Sequence, residues 1–140
     1  MKFENPPRER IKEILRDAGN IAVVGLSDNP DRTSHMIAQA MQSRGYRIIP
    51  VNPNATEILG EKCYPSLSEI PEPVDIVNVF RRSEQTLPVA EEAVKIKAKA
   101  FWLQLGIFNE EAAKLCQEAG MEVIMDRCIK VEDAVLNPRG

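Results

Sequence analysis

Five short, predominantly apolar runs recur along the chain, at 21–24, 46–51, 74–80, 100–105 and 121–125. None alternates apolar with polar residues. A strand with one wet face must alternate, so these read as strands covered on both faces, the pattern of a parallel sheet. Helical patterns separate them, and strand–helix–strand connections close right-handed over a sheet. The chain is therefore expected to be α/β: one Rossmann-like, doubly wound parallel sheet of five or six strands with helices on both faces. A short extra strand is expected around 62–64, and the strand order is expected to be 3-2-1-4-5-6.

The helices carry recognisable ends. Asn5-Pro6-Pro7 opens the first, with Ile11, Ile14, Leu15 and Ala18 as its apolar face and Gly19 closing it. Thr33 or Ser34 is expected to cap the second, whose buried stripe reads Met36, Ile37, Ala40 and Met41 before Gly45 stops it. A third starts at Ser83 or Pro88 and runs to Lys97, since proline fits a first turn. Asn109 with Glu110 and Glu111 starts the fourth, matched to the helix dipole, and Gly120 ends it. No repeat or linker divides the chain, so residues 1–140 are read as one domain; the first few residues and the tail from about Val131 are expected to be loose.

Bulk composition narrows the partners. The net charge of -3 provides no basic field for nucleic acid or an anionic membrane. No apolar run reaches the roughly 18 residues that span a bilayer, and the first residues lack a signal-peptide layout. Cys63, Cys116 and Cys128 are odd in number and have no CxxC spacing, which fits neither a disulfide framework nor a zinc site. A cytoplasmic protein that takes a small molecule is the expectation.

In a doubly wound sheet, ligands sit beyond the carboxyl ends of the strands where the strand order reverses. Here that is the crevice between the loop 25–34 and Phe80-Arg81-Arg82, with Asn52-Pro53-Asn54 at its flank. Gly25 lets backbone amides approach a phosphate, and the following helix directs its positive end there. Ser27 offers a hydroxyl and Arg32 a charge. Arg81 and Arg82 add two guanidiniums, the side chain best matched to phosphate oxygens. The alternative is a plain turn glycine beside solvated arginines. Gln104 and Gly106 end a strand on the same side and are second-tier lining residues.

The phosphate ligand can be narrowed. A dinucleotide site of the NAD type wants G-x-G-x-x-G and an acid ending the second strand. Ser27 stands where the second glycine belongs, and Val51-Asn52-Pro53 supplies no carboxylate. The P-loop pattern is absent as well.

Taken in order, several segments resemble the small stand-alone CoA-binding proteins, whose domain is similar to the CoA-binding domain of the succinyl-CoA synthetase alpha subunit. They are Ala22-Val-Val-Gly-Leu-Ser-Asp-Asn-Pro30, Gly45-Tyr46, Pro50-Val-Asn-Pro53, Leu59-Gly60, Tyr64-Pro-Ser-Leu67, Pro73-Val-Asp75, Val79-Phe-Arg-Arg82, Trp102-Leu-Gln-Leu-Gly106 and Met125-Asp-Arg-Cys128. The resemblance implies that coenzyme A is the ligand. Its pyrophosphate would lie on Gly25-Leu26-Ser27, with Asp28, Arg32, Thr33 and Ser34 completing the loop. Asn52 and Pro53 would line the adenosine side, and Phe80, Arg81 and Arg82 would contact the nucleotide. Thr33 and His35 depart from the family, which often carries Pro and Tyr there.

His35, the only histidine, is expected at the surface or ligand edge. It has no orienting partner at local spacing and does not inherit the synthetase's phosphohistidine. Asp126 and Arg127 read as an ion pair, Cys63 and Cys116 as packing residues, and Phe101 and Trp102 as core. Two functions follow. The first is a module that binds CoA or an acyl-CoA without chemistry. The second is a small enzyme, either a CoA-linked thiol/disulfide protein using Cys128 or a nucleotide-dependent oxidoreductase.

Overall fold

The computed structural model describes residues 2–140. Its centre is a parallel sheet of β1 (Asn20–Val24), β2 (Arg47–Val51), β5 (Ile76–Val79), β6 (Ala100–Leu103) and β7 (Glu122–Ile124), in the order β2-β1-β5-β6-β7. Every pairing in it is parallel. The five apolar runs are these five strands, slightly shortened at their ends. The expected extra strand exists in reduced form: Tyr64 makes a single parallel bridge to Val51 on the outer side of β2. Just before it, β3 (Glu57–Ile58) and β4 (Glu61–Lys62) form a small antiparallel hairpin. With that bridge counted as the third strand, the expected order holds.

Helices α1 (Arg8–Asp17), α2 (Thr33–Ser43) and α5 (Ile129–Leu136) cover one face; α3 (Thr86–Lys95) and α4 (Glu110–Glu118) cover the other. The core falls accordingly into two layers. Val23, Ile48, Ile76 and Trp102 point to the α1/α2/α5 side, and Ala22, Val77, Phe101 and Val123 to the α3/α4 side. Phe101 and Trp102 are fully buried, and the Trp102 indole N–H donates to the Arg127 carbonyl at 2.9 Å. Asn109 caps α4 as its type predicts, accepting from the Ala112 amide at 3.0 Å.

Four expectations are corrected. The chain ends are docked, not loose. Asn5 donates to the Met125 carbonyl and accepts from the Met125 amide, both at 2.8 Å, beside the β7 edge. At the other end α5 inserts Glu132 and Asp133 into the protein; Asp133 is fully buried, meeting Arg44 and accepting from the Tyr46 hydroxyl at 2.6 Å. Secondly, neither Thr33 nor Ser34 caps α2, which begins at Thr33. Thirdly, its buried stripe is Ser34, His35, Ile37, Ala38 and Met41, leaving Met36 half-exposed. Two polar residues turn inward to hold a loop, and the apolar stripe rotates with them. Lastly, Asp126 and Arg127 do not pair. Asp126 adopts a left-handed backbone (φ 59°) that turns its carboxylate to the Gly106 amide at 2.7 Å, and Arg127 donates to the Asp126 carbonyl.

Candidate functional site

The crevice lies at the carboxyl ends of β1 and β5, where the chain leaves β1 in one direction and β5 in the other. Gly25 is its hinge point. Its φ is 84°, its amide donates to Val51 at 3.0 Å, and a β-carbon there would stand 2.3 Å from the Phe80 carbonyl oxygen. Phe80 in turn donates its amide to Val24 at 2.8 Å. Only glycine lets these two strand ends run so close.

The loop that follows is held by its own side chains. The Ser27 amide donates to Ser34 Oγ (3.0 Å), Ser27 Oγ accepts from the Asn29 amide (3.1 Å), and His35 Nδ1 donates to the Ser27 carbonyl (2.8 Å). A carbonyl accepts only, so Nδ1 carries the proton. From β2, Asn52 Nδ2 donates to the Leu26 carbonyl at 2.9 Å, while Asn52 Oδ1 accepts from the Asn54 amide. Leu26 itself is fully buried in the core. Ser34, His35 and Asn52 therefore serve as struts for the loop.

What the loop leaves open is a polar groove of about 440 Å³, lined by Gly25, Ser27, Asp31, Arg32, Thr33, Ser34 and Phe80. At its base the amides of Thr33, Ser34 and His35, the first turn of α2, have no protein acceptor among the described residues. No side chain caps this helix, so the positive end of its dipole opens into the groove. Arg32, Arg81 and Arg82 have no ion-pair partner among the described residues, whereas Arg8, Arg10, Arg16, Arg44 and Arg47 all do. Arg81 is half-buried, with Nε close to Gly25; Asp28, Arg32, Thr33, Pro53 and Arg82 are exposed. Arg32 and the uncapped helix start thus line the groove together with the Asp31 carboxylate, Arg81 Nε lies against Gly25, and Arg82 follows it in the chain.

Further along the sheet, Gln104 is buried just beyond β6. Its Oε1 accepts from Asn78 Nδ2 and from the Ile129 amide, each at 3.3 Å. The backbone donor fixes which end of the amide is the oxygen, so the Gln104 NH2 is turned away from both. Gly106 is exposed on the adjoining turn. Cys128, half-buried, precedes α5. Burial pushes the Cys63 thiol up, and that of Cys116 up to about 12, in keeping with packing roles.

The sequence reading placed most of this groove but missed its supports. His35 was expected at the surface or the ligand edge; it lies beside the groove's loop but is buried beneath it, and its partner is eight residues upstream, beyond any helical spacing. Ser83 was read as a possible helix start, and its role as a tether was not. It ties Arg82 to the next turn, with Oγ accepting from the Phe108 amide (3.1 Å) and its carbonyl accepting from Asn109 Nδ2 (3.1 Å). Among the described residues there is no cluster of metal ligands, and no helix is long and apolar enough to cross a membrane.

Comparison with known proteins fits this geometry. The model of a family described as the CoA binding domain matches residues 19–134. An uncharacterized protein of Bacillus subtilis, YneT, is 59% identical over 133 residues, covering 95% of this chain and 98% of YneT. A hypothetical protein of Pyrococcus horikoshii OT3 superposes with a TM-score of 0.91 at 36% identity, over 98% of this chain and 99% of that one. The ADP-forming acetate–CoA ligase II of Archaeoglobus fulgidus is 32% identical over 97 residues, which is 68% of this chain but only 14% of the ligase.

Proposed function

Because this chain belongs to the CoA binding domain family, we propose that its groove holds coenzyme A, free or as an acyl thioester, and that it catalyses no reaction of its own. The observation that carries this reading is that Arg32 and the uncapped start of α2 line one groove, with Arg81 Nε against Gly25 on its other side and none of Arg32, Arg81 and Arg82 held in an ion pair among the described residues. CoA is more anionic than NAD by its 3′-phosphate, and an excess of unpaired guanidiniums suits that difference. The pyrophosphate lies on the loop from Gly25 through Leu26, Ser27 and Asp28 to Thr33 and Ser34. The adenosine lies toward Asn52 and Pro53 against Phe80, and the pantetheine arm crosses Gln104 and Gly106. Leu26 and Asn52 contribute by holding the backbone in place.

Binding without chemistry is supported by the disposition of the reactive groups. His35 Nδ1 is engaged by Ser27, with no carboxylate to orient the ring for proton transfer. Two of the three cysteines are buried.

Thermal unfolding with CoA, dephospho-CoA, acetyl-CoA and NAD tests the reading. At 100 times its dissociation constant a ligand stabilises by about 2.7 kcal/mol, a rise of about 10 °C in a domain of this size. CoA and acetyl-CoA are expected to give it, NAD is not, and dephospho-CoA is expected to give less. The double substitution Arg81→Ala, Arg82→Ala is expected to abolish the CoA shift and leave the unliganded midpoint nearly unchanged. No shift with any CoA species at millimolar concentration refutes the assignment.

A further inference from the structure

The turn between β6 and α4 is unusually well held for a segment that exposes apolar side chains. The Ile107 amide donates to the Gln104 carbonyl, the Gly106 amide to Asp126, the Phe108 amide to Ser83, and the Asp126 amide to the Ile107 carbonyl. On this braced turn Leu105 is 65% exposed and Phe108 54% exposed. Large apolar side chains presented to water by a rigid support mark a surface built for contact. Phe108 also lines a cleft of about 750 Å³, with Phe3, Pro6 and Met125 as its other apolar walls. The cleft opens beside the carboxyl end of β7, at the far side of the sheet from Asn52.

Its distance from the anion groove is informative. From β1 to β7 is three strand spacings, about 14 Å at 4.8 Å each. The pantetheine arm has about as many backbone bonds as four peptide residues, so it too spans about 14 Å extended. An arm leaving the pyrophosphate over Gln104 and Gly106 therefore brings its sulfur to the Leu105–Phe108 turn. The charges along the cleft are Glu4, Glu110 and Asp126 against Lys2 and Arg127, a net excess of one negative. Arg127 donates to a backbone carbonyl and Asp126 accepts from a backbone amide, neither of which cancels a charge, so the excess of one negative stands. A carboxylate on the acyl group would find repulsion there.

We propose that the acyl group of a CoA thioester lies against Leu105 and Phe108 and enters the cleft beneath Phe108, so that the ligands of choice are CoA thioesters of neutral, apolar acyl groups. This rests on the CoA reading of the groove and adds to it a selectivity that free CoA does not test.

Calorimetric titration with CoA, acetyl-CoA, butyryl-CoA, hexanoyl-CoA and succinyl-CoA decides it. Each fully buried methylene gains roughly fourfold in affinity, so the four that hexanoyl adds to acetyl, even half-buried, give at least about tenfold. Butyryl-CoA is expected to bind more tightly than succinyl-CoA, its acidic counterpart of equal carbon number. In the double variant Leu105→Ser, Phe108→Ser the chain-length dependence is expected to vanish, with affinity for CoA itself held within about twofold. Equal affinity for CoA and every thioester, or a chain-length preference that survives the double variant, overturns the proposal while leaving CoA binding intact. Silence from every CoA species removes the underlying reading and this one with it. Sedimentation of both proteins supplies the remaining arm: a dimer that the double variant abolishes would make the turn a self-association surface and overturn the acyl assignment.

Discussion

At Gly25 and Asp75 single residues set the two ends of the central strands. A β-carbon at Gly25 collides with the Phe80 carbonyl, and the backbone there is left-handed, so both strain and a steric clash oppose any side chain. Gly25→Ala is expected to cost about 2–4 kcal/mol in urea unfolding and to weaken CoA binding, because relief of the clash parts the groove's walls. At the opposite end Asp75 Oδ2 accepts from the Gly19 and Asn20 amides at 2.8 and 2.9 Å, and Lys99 lies 3.4 Å from Oδ1. Burial alone would raise this carboxyl. The Asn20 and Gly19 amides and the Lys99 charge together outweigh it and hold the group below the usual carboxylate range. A folded pKa below the unfolded one means that the stabilisation is present above about pH 4 and is lost as pH falls through the folded value. Asp75→Asn is expected to flatten the acid limb of the stability profile below about pH 4, read by unfolding midpoints. Gly25 was legible from sequence because a glycine ending an apolar run announces a close approach. The work of Asp75 was not, since its partners are backbone amides on another strand, 55 and 56 residues away.

Among the elements, the strands and their order were legible, because apolar residues at consecutive positions state burial on both faces without reference to anything distant. Helix α5 was not. Its sequence, with Glu132 and Asp133 side by side, reads as a solvated tail until the fold brings Arg8, Arg44 and Tyr46 around it. Carboxylates enter a protein interior only with such partners. Arg44→Ala leaves Asp133 with the Tyr46 hydroxyl and without its cation. Because Arg44 is itself partly exposed, solvent replaces some of what is lost, and the expected cost is about 1–3 kcal/mol, with α5 the first element to lose amide-exchange protection. The same distinction governs the site. Arg81 and Arg82 were readable as charges at a strand end, while Asn52, Ser34 and His35 were read as ligand or edge residues and in the fold hold the loop from beneath. Sequence reports which groups are present at a crevice. Which of them are already spent on holding it open depends on hydrogen bonds that only the folded chain makes.

On the scale of the molecule, the arrangement separates binding from support: the crest of the sheet carries the groove, and both ends of the chain are fastened elsewhere. One fastening has a consequence beyond stability. Asn5 faces Met125 with its amide group, giving one hydrogen bond and taking one, as a neighbouring strand would. On the opposite margin Tyr64 does the same through the main chain, its amide donating to the Pro50 carbonyl and its carbonyl accepting from the Asn52 amide on either side of Val51. An open strand margin is a template on which further chains can add, so the small amide of Asn5 acts as a chain terminator for the sheet. Asn5→Ala is expected to leave the monomer folded but to make light scattering grow with protein concentration and incubation time, where the parent protein stays flat. That margin, on this view, is closed at Met125 by two hydrogen bonds to one side chain near the start of the chain.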